Sequence, residues 1–253
     1  MDGRVSAIGL GGIDLYLYVG KKRYVIKDAA KMEKVVNKTP VVDGSGLKNT
    51  LERETVSSLK KEGFELEGKK VLMVSAVDRF GMAEALYGAG CQMSFGDLVF
   101  GLNIPIIIRS FKTFNMIAKT LLPVVVKMPF SMLYPTGESQ NKVPSKRNQS
   151  YYKEADIIAG DFLFIRKFMP AELKGKWILT NTVVEKDVAD LKERGVEYLI
   201  TSTPAFRGRS FGTNVIEALF VALLDKELNE IRDEDYLDLI DRLDFKPRIE
   251  RLN

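Results

Sequence analysis

From Lys69 onward, short apolar runs alternate with helix-length stretches, and this alternation restricts the fold more than any other feature of the chain. Lys69–Ala76 is apolar on both faces, as a buried parallel strand must be. Further strands are predicted around Pro105–Ile108, at Ala155–Ala159, at Lys176–Thr180 and at Glu197–Thr201. Helices fit between them at Met82–Ala89, Phe111–Leu122, Glu185–Arg194 and Thr213–Leu224. Strand and helix in this rhythm predict an α/β fold with a doubly wound, mostly parallel, Rossmann-like sheet over 67–224. A smaller α/β portion precedes it at 1–66. It reads as a strand at Val5–Leu10, a β-hairpin at Ile13–Asp28, a helix at Ala29–Asn37, a strand at Thr39–Asp43 and a helix at Leu47–Glu62. The chain opens on a strand with almost nothing before it, as expected of a sequence whose N-terminal segment lies elsewhere. The pattern breaks between Lys127 and Lys153, a stretch with the character of a lid or binding loop. Residues 225–253 are acidic, with Tyr236, Leu237, Leu239, Ile240 and Leu243 at helical spacing, which predicts a docking helix.

Composition narrows the chemistry. The 253 residues contain no histidine, so no histidine-based triad, metal site or general base exists in the chain. Acid–base work must come from Lys, Asp, Glu or Tyr. The lone cysteine, Cys91, excludes an internal disulfide and suits the cytoplasm. A net charge of +4 gives no footprint for nucleic acid. The most apolar stretch, Leu98–Ile108, is interrupted by Gly101, Asn103 and Pro105, so no membrane span is expected. Tyr16 and Tyr18 on the hairpin suit either a homodimer formed by strand pairing or the covering of a sheet face.

Three strand-to-helix junctions carry the residues that could bind an anion, because a helix N-terminus offers unpaired N–H groups and partial positive charge. The first is Asp43-Gly-Ser45-Gly-Leu-Lys48-Asn49-Thr50, with donors and a carboxylate around one strand end. A tight turn with Ser45 as a cap explains it equally well. The second is Asp78-Arg79-Phe-Gly81-Met82, where Arg79 could meet a phosphate or Gly81 could merely permit close helix packing. The third, Thr201–Asn214, is the densest, with Thr203, Arg207, Arg209, Thr213 and Asn214 between a strand and a helix. The run Gly9-Leu-Gly-Gly12 looks like a glycine fingerprint, but a hairpin rather than a helix follows it.

Other stretches carry a resemblance. Ala155-Asp-Ile-Ile-Ala-Gly160 followed by Leu173-Lys-Gly-Lys-Trp-Ile-Leu-Thr-Asn181-Thr resembles the late strands of nicotinamide-dependent dehydrogenases. The runs Ala7–Asp14, Val42–Arg53 and Phe206–Glu217 resemble a bacterial family labelled quinate or shikimate 5-dehydrogenase-like, and the likeness spans nearly the whole chain. It implies an NAD(P)-dependent oxidoreductase acting on a small polyhydroxy acid such as quinate or shikimate. Shikimate dehydrogenases use a lysine and an aspartate. Here Lys48 would stand for the first and Asp78 or Asp14 for the second, although the Asn-Val-Thr-x-Pro-x-Lys motif is absent.

Under that expectation Lys48 moves a proton, Asp43 or Asp14 orients the hydroxyl, and Asp78, Arg79, Gly81 and Met82 hold NAD or NADP. Asn181 and Thr203 line the nicotinamide. Ser45, Asn49, Thr50, Arg207, Arg209, Thr213 and Asn214 receive a small anionic metabolite. The competing expectation is a nucleotide- or phosphometabolite-binding regulatory protein without hydride chemistry, favoured by the lack of a complete dinucleotide fingerprint.

Overall fold

A computed structural model describes residues 2–20, 22–129 and 146–253. Its centre is a six-stranded sheet made of β5 (Lys70–Met73), β6 (Gln92–Phe95), β7 (Ile157–Ala159), β8 (Trp177–Thr180), β9 (Tyr198–Thr201) and β12 (Arg248–Arg251). The spatial order is β12-β9-β8-β7-β5-β6, parallel throughout except for β12, which runs antiparallel to β9. Successive strand residues serve opposite layers. Val71, Met73, Ile157, Ala159, Leu179 and Ile200 enter one buried cluster, and Leu72, Ile158, Ile178 and Leu199 another. Helices therefore cover both faces. Helix α2 (Ser45–Lys61), α3 (Phe80–Gly88) and α4 (Phe111–Val125) supply Leu59, Leu86 and Phe114 to the first layer. Helix α5 (Lys146–Glu154), α6 (Phe162–Phe168) and α7 (Glu185–Glu193) supply Tyr152, Ile165 and Leu191 to the second.

The N-terminal portion does not stand apart from this sheet. Strands β1 (Ile8–Gly9) and β4 (Val41–Val42) pair in parallel. The hairpin of β2 (Tyr16–Val19) and β3 (Lys22–Val25) leads into the short helix α1 (Lys27–Glu33). Leu15, Leu17 and Val19 alternate inward as expected, and they join the same cluster as Val71 and Met73, so no core boundary falls at residue 66. A third cluster unites Leu47 and Leu51 of α2 with α8 (Thr213–Leu224) and α9 (Asp233–Arg242). Tyr236, Leu239 and Ile240 dock α9 there.

Four expectations are corrected. No sheet strand forms at 105–108, where Pro105 lacks a donor and Ile108 makes a single antiparallel bridge to Phe95. The strand beside β5 is instead β6, whose alternation of exposed Gln92 and buried Met93 is that of a half-covered edge. Residues 130–145 of the irregular stretch lie outside the described residues, but 146–154 is helical and buries Tyr152 completely. The C-terminal segment adds, beyond its helix, the edge strand β12, whose charged side chains suit an edge. Among the described residues, no helix is long and apolar enough to cross a membrane.

Candidate functional site

Chain order reverses between β5 and β7, since β6 lies to one side of β5 and β7, β8 and β9 to the other. In open α/β sheets the loops leaving the strand ends diverge at such a point and form a crevice. Asp78 and Arg79 follow β5 there, and Asp161 follows β7 as the cap of α6, accepting from Leu163 N at 2.9 Å. Lys48 reaches the same place from the first turn of α2, and Asp14 from the loop before β2.

Lys48 Nζ lies 2.7 Å from Asp14 Oδ1 and 2.8 Å from Asp78 Oδ1, and the two aspartates are hydrogen-bonded to each other. The Arg79 guanidinium, 4% exposed, meets Asp78 at 3.2 Å, Glu52 at 3.1 Å and Asp161 at 3.1 Å. Burial, reinforced by the charge of Asp78, pushes Asp14 up to about 7. Burial also acts on Asp78, but Lys48 and Arg79 outweigh it and hold that carboxyl well below the ordinary range. Lys48 shows the opposite balance: burial favours the neutral amine, yet Asp14 and Asp78 keep it an ammonium. This corrects the expectation of a base lysine, because the group poised near neutrality is Asp14. Asp97, donated to by Val77 N at 2.9 Å, is likewise pushed up to about 7 by burial.

The cleft beside this cluster is lined by Tyr16, Tyr18, Ser45, Asn49 and Phe80 among others. The space in it measures about 20 Å³, room for roughly one water. Tyr16 and Tyr18 thus form a wall of the cleft.

Several of the remaining expected residues are engaged by the protein itself. Asp43 accepts from Leu15 N, from Tyr16 N at 3.0 Å and from Ser45 Oγ at 2.6 Å, stapling the hairpin to α2. The N-terminus of α2 receives not a ligand but the Glu217 carboxylate, which accepts from Gly44 N at 2.6 Å and from Leu47 N. Tyr236 Oη donates to that carboxylate at 3.1 Å. The N-terminus of α3 is likewise taken, with Met82 N donating to Glu52 at 3.1 Å.

Gly81 lies so close to α2 that a Cβ there would stand 2.4 Å from Asn49 Oδ1 and 3.0 Å from its backbone oxygen. Close packing is its role, as it is for Gly9 and Gly44 against the backbone of Asn214. Asn181 bonds to Asp161 and Phe162, and Thr203 to Phe211 O at 2.9 Å. Arg207 and Gly208, both at positive φ, form the two-residue turn of a small hairpin, β10 (Ala205–Phe206) and β11 (Arg209–Ser210). Arg207 and Arg209 lie over the Phe206 and Phe211 rings. Thr50 and Thr213 have buried hydroxyls without a hydrogen-bond partner among the described residues.

The site thus gathers Lys48, Asp14, Asp78 and Arg79, with Ser45 and Asn49 on the wall of its cleft, while Asp43 and Thr203 are held in hydrogen bonds within the protein. It adds Glu52, Asp97, Asp161 and Glu217, which the sequence did not single out. Glu52, four residues after Lys48 on one helix face, was the most legible of these. A helix N-terminus seats a pyrophosphate through its open N–H groups. Those of α2 and α3 already hold carboxylates, so these two helix ends do not fit that group.

The chain is thus a mixed α/β protein with a buried acid–base cluster at the ends of its parallel strands. It belongs to the family described as Domain of unknown function (DUF8754), which matches residues 46–252. A second domain of unknown function (DUF8753) matches residues 1–43. The cluster draws Asp14 from the first of these segments of the chain and Lys48 and Asp78 from the second. Comparison with curated proteins and with solved structures finds no match.

Proposed function

We propose that the protein is an enzyme carrying out proton transfer on a small hydroxylated metabolite, with Asp14 as the acid–base group. The observation that carries this reading is the Lys48 ammonium held between Asp14 and Asp78 at 2.7 and 2.8 Å, at the switch point of the sheet. In this reading Asp14 exchanges the proton with a substrate oxygen, and the ammonium stabilises the charge developing there. Asp78 stays ionised and fixes Lys48, while Arg79 and Glu52 fix Asp78. The strand order and the helices on both faces support a doubly wound fold in the 2-1-3-4-5 order, whose ligands sit at this crevice. The lysine–aspartate pair is also what a likeness to quinate or shikimate dehydrogenases would require. No step is routed through a dinucleotide.

The test is turnover of a panel of polyhydroxy acids and polyols, including quinate and shikimate, with and without NAD or NADP. For any substrate found, Lys48→Met and Asp14→Asn should each lower kcat by roughly 100-fold or more. The wild-type rate should show an apparent pKa near that of Asp14, about 7, absent in Asp14→Asn. Full turnover in a folded Lys48→Met variant would sink the proposal.

A further inference from the structure

A second concave site lies at the opposite, amino end of the strands, where the proposed chemistry plays no part. Trp177 and Tyr198 open β8 and β9 and stand opposite each other in the ladder, and Phe64 joins them from the loop after α2. The three rings meet almost at right angles. Phe64 and Trp177 are 5.3 Å apart at 89°, Phe64 and Tyr198 5.1 Å at 84°, and Trp177 and Tyr198 5.5 Å at 75°. They border a groove of about 510 Å³, within the range of small-molecule pockets. Its polar lining is Glu62, Glu65, Asp156 and Glu197 against the one lysine, Lys69.

Two internal cations already mark what these rings attract. Lys69 Nζ lies 4.9 Å from the Trp177 centroid, and the Arg251 guanidinium 6.0 Å from that of Tyr198. Asp156 is committed in part to Lys70 N at 2.8 Å, and Glu197 to Arg251 at 3.7 Å. The excess of carboxylates and the negative faces of the rings act in the same direction, favouring positive charge.

We infer that this groove binds a small organic monocation, a quaternary ammonium or guanidinium group, on the Phe64–Trp177–Tyr198 rings between the carboxylates. Lys69 is its internal competitor, holding the Trp177 face until a ligand displaces it. No bond is made or broken, and the inference is independent of the Lys48 cluster.

The chain contains one tryptophan, so intrinsic tryptophan fluorescence reports this groove directly. The full chain is titrated with tetramethylammonium chloride and with the neutral isostere 2,2-dimethylpropanol, at constant ionic strength set with sodium chloride. A saturable change with the cation, absent with the alcohol, is expected. Glu65→Gln with Glu197→Gln should weaken binding about threefold or more, and Lys69→Met should tighten it by a similar factor. Choline and an acetylated trimethyl-lysine amide then distinguish a free metabolite from a modified protein side chain as the source. Equal responses to cation and alcohol, or no saturable response, would overturn the assignment. So would unchanged affinity in Lys69→Met, a variant that removes only a surface amine and keeps the aromatic cluster.

Discussion

Lys48 shows how a residue's role depends on what the chain folds around it. Alone, a buried lysine tends to lose its proton, but two carboxylates within 2.8 Å keep this one charged and shift the titrating function to Asp14. The same physics makes the protein's stability depend on pH. Asp14, Asp97 and Glu217 all hold their protons to about 7, above the values they have in an unfolded chain. Between roughly pH 4 and 7 the folded state therefore binds more protons than the unfolded one, and stability falls as pH rises through that window. Asp78 contributes in the opposite sense, its share being lost only in strong acid as pH falls through its depressed value. Glu217, 3% exposed, is the cleanest probe. Its shift corresponds to on the order of 3 kcal/mol across the window. Glu217→Gln should flatten that part of the slope, gaining on the wild type at pH 8 relative to pH 5 in urea unfolding. An identical slope in both proteins would mean that Glu217 does not titrate in this range.

At the level of elements, the glycines decide which helices touch. α3 lies against α2 because Gly81 leaves no Cβ to hold Asn49 away, and α8 approaches β1 and β4 through Gly9 and Gly44. Gly81→Ala should destabilise the protein by about 1–3 kcal/mol, because the obstructing atoms include backbone that cannot rotate aside. Gly88, in the same helix with open space around it, is the control, and Ala there should add about 0.4–1 kcal/mol. Equal melting temperatures for the two variants would refute the packing account. At Gly44 and Gly81 the sequence left a ligand and a structural role both open, since a glycine before a helix looks the same whether a ligand or another helix comes close. Glu52 and Glu217 decide between the two, and both lie far along the chain from the N–H groups they satisfy.

Across the whole molecule, the segments matched by the two family models share one hydrophobic core. Leu15, Leu17 and Val19 are buried with Met73, Leu86 and Phe114, and Asp14 completes the Lys48 cluster. Removing residues 1–43 should therefore leave 44–253 without cooperative thermal unfolding and with exposed apolar surface that binds a hydrophobic dye. A sharp melt in the truncated protein would show two independent units. The filled helix N-termini make a second prediction at this scale. A ligand at 100 times its dissociation constant adds about 2.7 kcal/mol, so NAD or NADP alone should leave the melting temperature unmoved. A clear upward shift would overturn the account of the helix ends.

The sequence alone determined the alternating α/β plan, the inward alternation of the β2–β3 hairpin, the C-terminal docking helix and the exclusion of histidine chemistry. These follow from local periodicity and composition, which need no partner to be read. It also put Lys48, with Asp43 or Asp14, forward as the reactive set and Asp78 among the cofactor residues. Only the tertiary structure decided that Lys48 meets Asp14 and Asp78 while Asp43 holds the hairpin to α2, and that burial raises Asp14 while its partners keep Lys48 charged. It also showed that carboxylates from elsewhere in the chain seat themselves at two of the three helix ends that seemed open to phosphate. Protonation states and helix-end partners are set by burial and by charges brought together from distant parts of the chain, and no local pattern records either.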